Sequence, residues 1–169
     1  MTLAATPSLQ LAAQAERFGT HPLFILPQAV ADLWGTGRTE WTYAEVLAEV
    51  TRLRAAYAAA GYGPGHRVAL LLENRPLHFF HWLALNGLGV GIVPINPDAT
   101  PDEIAYLLGH SGAVLAVALP SRLAQMQGHG VPAITDTDAP PAAPFPAGAM
   151  PAPGTGECAL IYTSGTTGK

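Results

Sequence analysis

The sequence predicts an α/β fold, a mostly parallel sheet flanked by helices, and three observations carry that expectation. Residues 67–72 (RVALLL), 90–95 and 114–117 are short continuous apolar runs, the pattern of strands covered on both faces. The stretches between them open on helix-start signals, a proline at the first helical position behind a capping residue. Strands alternating with helices then require right-handed crossovers, which lay the strands parallel.

Taken in chain order, Ser8 is the expected N-cap of a first helix carrying Leu9, Leu11, Ala12, Ala15 and Phe18, with Gly19 as its stop. Residues 21–26 read as a short strand, and 34–39, with Gly35 and Gly37, as a turn. Thr42 and Glu45 have capping-box spacing ahead of Val46, Leu47, Val50, Leu53 and Tyr57, a helix that Gly61 is placed to end. Asn74 is expected to cap a helix that starts at Pro76 and carries Phe79, Phe80, Trp82, Leu83 and Leu85. Thr100, Pro101 and Glu103 form a second capping box, opening a helix through Leu108. Residues 120–127 read as a short helix. The segment 136–156 concentrates Pro140, Pro141, Pro144, Pro146, Pro151 and Pro153 among alanines and glycines, the composition of an irregular loop or linker. Residues 158–162 (CALIY) then read as another apolar strand. The expected organisation is an α/β subdomain over 1–135, a Pro/Ala/Gly-rich loop over 136–156, and a strand with its loop over 157–169.

Composition removes several function classes. Hydrophobic residues make up 49% and charged residues only 12%, with a formal net charge of -4. That is too apolar for a wholly disordered chain, and no basic run offers the electrostatic footprint of a nucleic-acid binder. Residues 76–97 carry no formal charge and are long enough to span a bilayer. His78, His81, Asn86, Pro94 and Asn96 interrupt that tract, and Gly87, Gly89 and Gly91 cluster inside it, so it reads as a buried helix, a turn and a buried strand, with no membrane span. The single cysteine, Cys158, forms no internal disulfide and is expected as a small apolar core residue on its strand; with no secretory signal visible, the expected compartment is the cytoplasm.

Chemistry concentrates in residues 163–168. Thr163, Ser164, Gly165, Thr166, Thr167 and Gly168 form a hydroxyl- and glycine-rich loop directly after an apolar strand. Glycines let the backbone approach an anion, successive N–H groups can form a nest, and hydroxyls add donors. Ligands of open parallel sheets bind outside the carboxyl ends of the strands, which is where such a loop emerges. The loop departs from the G-x-x-x-x-G-K-[ST] pattern, because Thr163 stands where its first glycine belongs. Taken by itself it is either a phosphate cradle or a flexible Ser/Thr/Gly loop.

Residues 162–169 (YTSGTTGK), preceded by Leu160 and Ile161, resemble the phosphate-loop signature Y-T-S-G-T-T-G-x-P-K-G of AMP-forming adenylate-forming enzymes. That family includes acyl-CoA synthetases, aryl-CoA ligases, firefly luciferase and the adenylation domains of peptide synthetases. Two earlier motifs occur in the family's order: 41–46 (WTYAEV) looks like L-T-Y-x-E-L, and 87–97 (GLGVGIVPINP) is similar to K-A-G-A-x-x-V-P-L-N-P. The resemblance implies the N-terminal part of an adenylate-forming enzyme large domain, in an enzyme that joins a carboxylic acid to ATP and passes the acyl group to coenzyme A. Thr163, Ser164, Gly165, Thr166, Thr167 and Gly168 would hold the β- and γ-phosphates with Mg²⁺. Thr167 and Asn96 tilt the likeness toward an acyl- or aryl-CoA ligase of the kind found in fatty acid metabolism. A peptide-synthetase adenylation domain and a non-catalytic nucleotide-binding fragment are the alternatives.

Lys169 falls on the signature's variable position, so no catalytic residue is expected within the chain, and 1–169 alone is expected to be inactive and prone to aggregate. Its expected partners are a small-molecule carboxylic acid, the remainder of its own polypeptide and, with oligomeric state open, a second copy in a homodimer. No metal ligands are expected: His78 and His81 lie three apart on a helix, but spacing supplies no third ligand. Glu73, Asn74 and Arg75 are expected to form a helix cap with a surface ion pair.

Overall fold

A computed structural model describes residues 6–150 and 156–163 of the chain. Four parallel strands form its centre in the order β4–β3–β5–β6, with β3 at Arg67–Leu71, β4 at Gly91–Pro94, β5 at Leu115–Ala118 and β6 at Ala133–Thr135. α4 (Pro76–Asn86) crosses from β3 to β4, and α5 (Pro101–Ser111) from β4 to β5. A 3₁₀ turn at Pro120–Arg122 and α6 (Leu123–Met126) lead to β6, a three-residue strand too short for periodicity to reveal. Ahead of the sheet lie α1 (Pro7–Phe18), β1 (Pro22–Ile25), α2 (Gln28–Trp34), β2 (Glu40–Thr42) and α3 (Tyr43–Ala59). β1 and β2 pair antiparallel as a separate two-stranded ribbon.

Strand alternation divides the core in two. Val68, Leu70, Leu72, Leu115 and Val117 pack with Val46, Val50, Tyr57 and Phe80, so this face is covered by α3 and α4. Ala69, Leu71, Val93, Ala116 and Ala118 pack with Ile104, Leu108 and Met126 of α5 and α6. Beyond Arg67, β3, β4 and β5 are therefore apolar throughout, because each face has its own cover.

Both capping boxes form. Thr42 Oγ1 accepts from the Glu45 N–H, and Glu45 Oε2 accepts from the Thr42 N–H at 2.8 Å. Thr100 and Glu103 repeat the arrangement at α5. Three local expectations need correction. α1 is capped by Thr6, not Ser8: Pro7 occupies the first helical position, which moves the cap back, and the Ser8 N–H donates to Asn86 Oδ1. α4 has Arg75 rather than Asn74 at its cap position, with no side-chain cap bond, because the helix begins at Pro76 and Asn74 stands one residue too early. The turn expected over 34–39 forms from Gly35 onward, but Trp34 is the last residue of an unexpected helix, α2, whose seven residues are too few for a clear period and which Gly35 closes in the left-handed region at φ 63°.

Residues 136–150 of the proline-rich stretch form no helix or strand, yet they are fastened to the domain. The Ala143 N–H donates to Ala60 O, the Gly148 N–H to Pro64 O, and buried His66 bonds to Phe145 O through Nε2 while Nδ1 accepts from the Gly63 N–H. Among the described residues no helix is long and apolar enough to cross a membrane; the uncharged tract 76–97 is α4, a glycine turn and β4.

Candidate functional site

The chain returns to the sheet at its β4 edge. Ala159 lies opposite Ile92 in a parallel bridge, with the Ile92 N–H donating to Cys158 O and the Leu160 N–H to Ile92 O at 2.8 Å. A full strand over 158–162 does not form among the described residues; the pairing is a single bridge. Cys158 is exposed rather than buried, because an edge position is covered from one side only. Thr163 follows, exposed, at the end of the described residues. Ser164, Gly165, Thr166, Thr167 and Gly168 lie outside them.

Two ionic clusters bracket this entry. At the amino end of the sheet, Arg67, the first residue of β3, grips Glu157 with both sides of its guanidinium: Nε donates to Oε1 at 2.6 Å and Nη2 to Oε2 at 2.7 Å. Its remaining nitrogen, Nη1, donates to Ser111 O at the end of α5. The Arg67 hydrogen bond holds the Glu157 carboxyl below its ordinary range against an opposing effect of burial, and the same bond raises the Arg67 guanidinium. Nearby, Tyr162 Oη meets His110 Nδ1 at 2.7 Å, and the His110 ring stacks on Tyr106.

At the carboxyl end, where open α/β sheets take their ligands, Glu73 shares its carboxylate between Arg75 at 2.9 Å and Arg122 at 3.2 Å. Arg122 also donates to Pro97 O, and Arg75 to Trp34 O while lying over the Trp34 ring. One carboxylate thus ties together the loops that follow β3, β4 and β5. Burial pushes the Glu73 carboxyl up, but the two guanidiniums outweigh it and keep it below its ordinary value. Glu73 holds a left-handed φ of 56°, a conformation costly for a residue with a side chain. The expected Glu73–Arg75 pair is present; the third member, Arg122, lies 49 positions away and no spacing rule reaches it.

The remaining candidates have local roles. Asn96 Oδ1 accepts from the Asp98 N–H and shapes a turn. His81 is buried with Nδ1 on Tyr57 Oη at 2.8 Å, whereas the neighbouring His78 Nδ1 is buried without a partner, so the two rings do not converge. No group of three or more His, Cys, Asp or Glu suited to a metal ion occurs among the described residues. Glu157 and Arg67 escape sequence reasoning. The available signal is scarcity: with 12% of the chain charged, one arginine opening an apolar strand and one glutamate opening another stand out.

Comparison with known proteins matches residues 11–169 to the family described as AMP-binding enzyme. The long-chain-fatty-acid–CoA ligase of Thermus thermophilus is 32% identical over 143 residues, covering 75% of this chain and 26% of the ligase. The isonitrile lipopeptide synthase of Mycobacterium tuberculosis is 34% identical over 134 residues, covering 79% of this chain and 5% of the synthase. Among solved structures, the O-succinylbenzoate coenzyme A synthetase of Bacillus subtilis in complex with AMP superposes with a TM-score of 0.70 at 26% identity, over 94% of this chain and 39% of that one. The same synthetase in complex with ATP and magnesium ion gives 0.64 at 23% identity, over 80% and 35%. The chain therefore spans only a small part, about a quarter or less, of each of these two sequence relatives.

Proposed function

Because the chain belongs to the AMP-binding enzyme family, we propose that it is part of an AMP-forming ligase that activates a carboxylic acid as an acyl-adenylate and transfers the acyl group to coenzyme A. The observation that supports this reading is the parallel bridge between Ile92 and Ala159, which brings the chain along the edge of a parallel sheet four residues ahead of Thr163, where the hydroxyl- and glycine-rich sequence 163–168 begins. The donor set fits a polyphosphate: hydroxyls of Thr163, Ser164, Thr166 and Thr167, with Gly165 and Gly168 giving the backbone freedom to approach. We assign those six residues to the β- and γ-phosphates of ATP, with Mg²⁺ neutralising charge there. Their contribution to the reaction is to hold and orient the phosphates while pyrophosphate departs.

The lipopeptide synthase relative favours a second reading, an adenylation domain whose acceptor is a carrier-protein thiol. One experiment addresses both. The full-length protein, given MgATP and a panel of fatty, aryl and amino acids, should release pyrophosphate only with its cognate acid, and with coenzyme A should form one thioester per AMP. Acid-dependent pyrophosphate release without thioester formation favours the carrier-protein acceptor. No acid-dependent release from any acid, and no ATP–pyrophosphate exchange, removes both.

A further inference from the structure

We propose that Arg67 and Glu157 form a clamp that sets the register in which the phosphate-loop segment enters the sheet, making Glu157 a positioning residue for MgATP; the proposal rests on the ligase reading above. Glu157 is the one charged residue in the stretch 156–163. Its carboxylate accepts two bonds from Arg67 in a fork geometry that fixes both distance and orientation. Arg67 is itself anchored to the end of α5 through Ser111 O at 2.7 Å, so the clamp joins β3, α5 and the incoming segment.

Gly91 completes the device. A Cβ there would run into the Glu157 carboxylate and lie 3.0 Å from its carboxyl carbon, so the missing side chain leaves a slot at the start of β4 that the carboxylate fills. Two residues beyond Glu157, Ala159 meets Ile92, one residue beyond Gly91.

Such a device is needed because the edge pairing specifies itself weakly. Among the described residues the segment's backbone pairing with β4 is one bridge with two hydrogen bonds, and the side-chain bond of Tyr162 Oη to His110 Nδ1 lies beyond it. Ala159 packs on the α3–α4 side of the sheet, Leu160 and Tyr162 on the α5 side. A slip of one residue would exchange those faces and is opposed by packing. A slip of two residues keeps every face yet carries Thr163 roughly 7 Å along the strand. The hydrophobic pattern cannot tell these registers apart. The clamp can, because in the slipped register Glu157 leaves both its slot and its arginine.

The test uses the full-length protein with two single substitutions and one exchange. Glu157→Gln removes the charge. Gly91→Ala leaves both charges in place and displaces only the end of a flexible side chain. The double variant Arg67→Glu, Glu157→Arg reverses the pair. Each single variant should raise the KM for MgATP about fivefold, the upper end for an exposed but bidentate pair, with the KM for the carboxylic acid within about twofold. The exchange should recover part of the loss. A merely structural role would lower kcat through loss of folded enzyme and leave both KM values alone. An unchanged KM for MgATP in both single variants therefore overturns the proposal, whatever happens to kcat or thermal midpoint. Amide exchange at Leu160 supplies a readout independent of turnover: it should quicken in both single variants, and unchanged exchange counts against the clamp. A wild type without acid-dependent turnover, with quickened exchange in the variants, would defeat the ligase reading and keep the clamp.

Discussion

The two faces of the central sheet come from alternate residues of the same strands, yet they are chemically unlike. Against α3 and α4 the strands present Val68, Leu70, Leu72, Leu115 and Val117, and the helices bring buried polar side chains, with His81 bonded to Tyr57 and Asn86 receiving the Ser8 N–H. Against α5 and α6 they present Ala69, Leu71, Ala116 and Ala118, and the cover is aliphatic. The buried polar side chain there, Ser111, bonds within its own helix end, to Leu108 O and from the Ala113 N–H. Large strand residues with polar crosslinks hold three helices together on one side. Smaller strand residues face α5 and α6 on the other. The first solution makes stability depend on protonation; the second makes it depend on volume.

The comparison breaks most visibly in acid. Burial is the main force on His81, lowering its pKa from an ordinary 6.5 to about 4, while a backbone hydrogen bond at Asp136 and the Glu49 carboxylate pull the other way. Between those values the unfolded state binds the extra proton and the folded state resists it. Stability from this group is complete above pH 6.5 and is lost as pH falls toward 4, a loss on the order of 3 kcal/mol. Denaturant unfolding across that range should show it, and His81→Gln should flatten the slope. An unaltered slope in H81Q would place the acid sensitivity elsewhere.

Volume tests the opposite face. Ala69 is fully buried against α5, and Ala69→Leu should cost about 2 kcal/mol by overpacking, with no change in the acid slope. A neutral result in denaturant unfolding would show that α5 can withdraw without loss and that small residues are not what sets its approach. The smallest effect sharpens the comparison by symmetry. α3 and α5 carry the same capping box on opposite faces, so Thr42→Ala and Thr100→Ala should each cost about 1 kcal/mol. Costs differing by more than twofold would show that one helix end supports the fold beyond its own cap.

Legibility follows the range of the interaction. Thr42 with Glu45 and Thr100 with Glu103 are three residues apart, and that spacing alone makes both boxes readable in the sequence. The apolar runs announce β3, β4 and β5 because strands covered on both faces have no polar side to confuse the pattern. α2 and β6 are hidden by brevity. The exposure of Cys158 is hidden too, because composition cannot say that a strand is an edge. Of the expected phosphate loop, Thr163 is the member that the described residues include.

The sequence by itself determined the alternation of strands and helices, the caps that start them, and the hydroxyl- and glycine-rich loop that suggests phosphate chemistry. These are local matters: backbone hydrogen bonds and side-chain periods act over a few residues. Tertiary structure alone decided that Arg67 would meet Glu157 across 90 positions, that Arg122 would join Glu73, and that a glycine at the head of β4 would leave a slot for a carboxylate. Each requires the crossovers to close first. Strand order brings distant residues to one edge, and a charge in an apolar chain is held by whatever that closure places beside it.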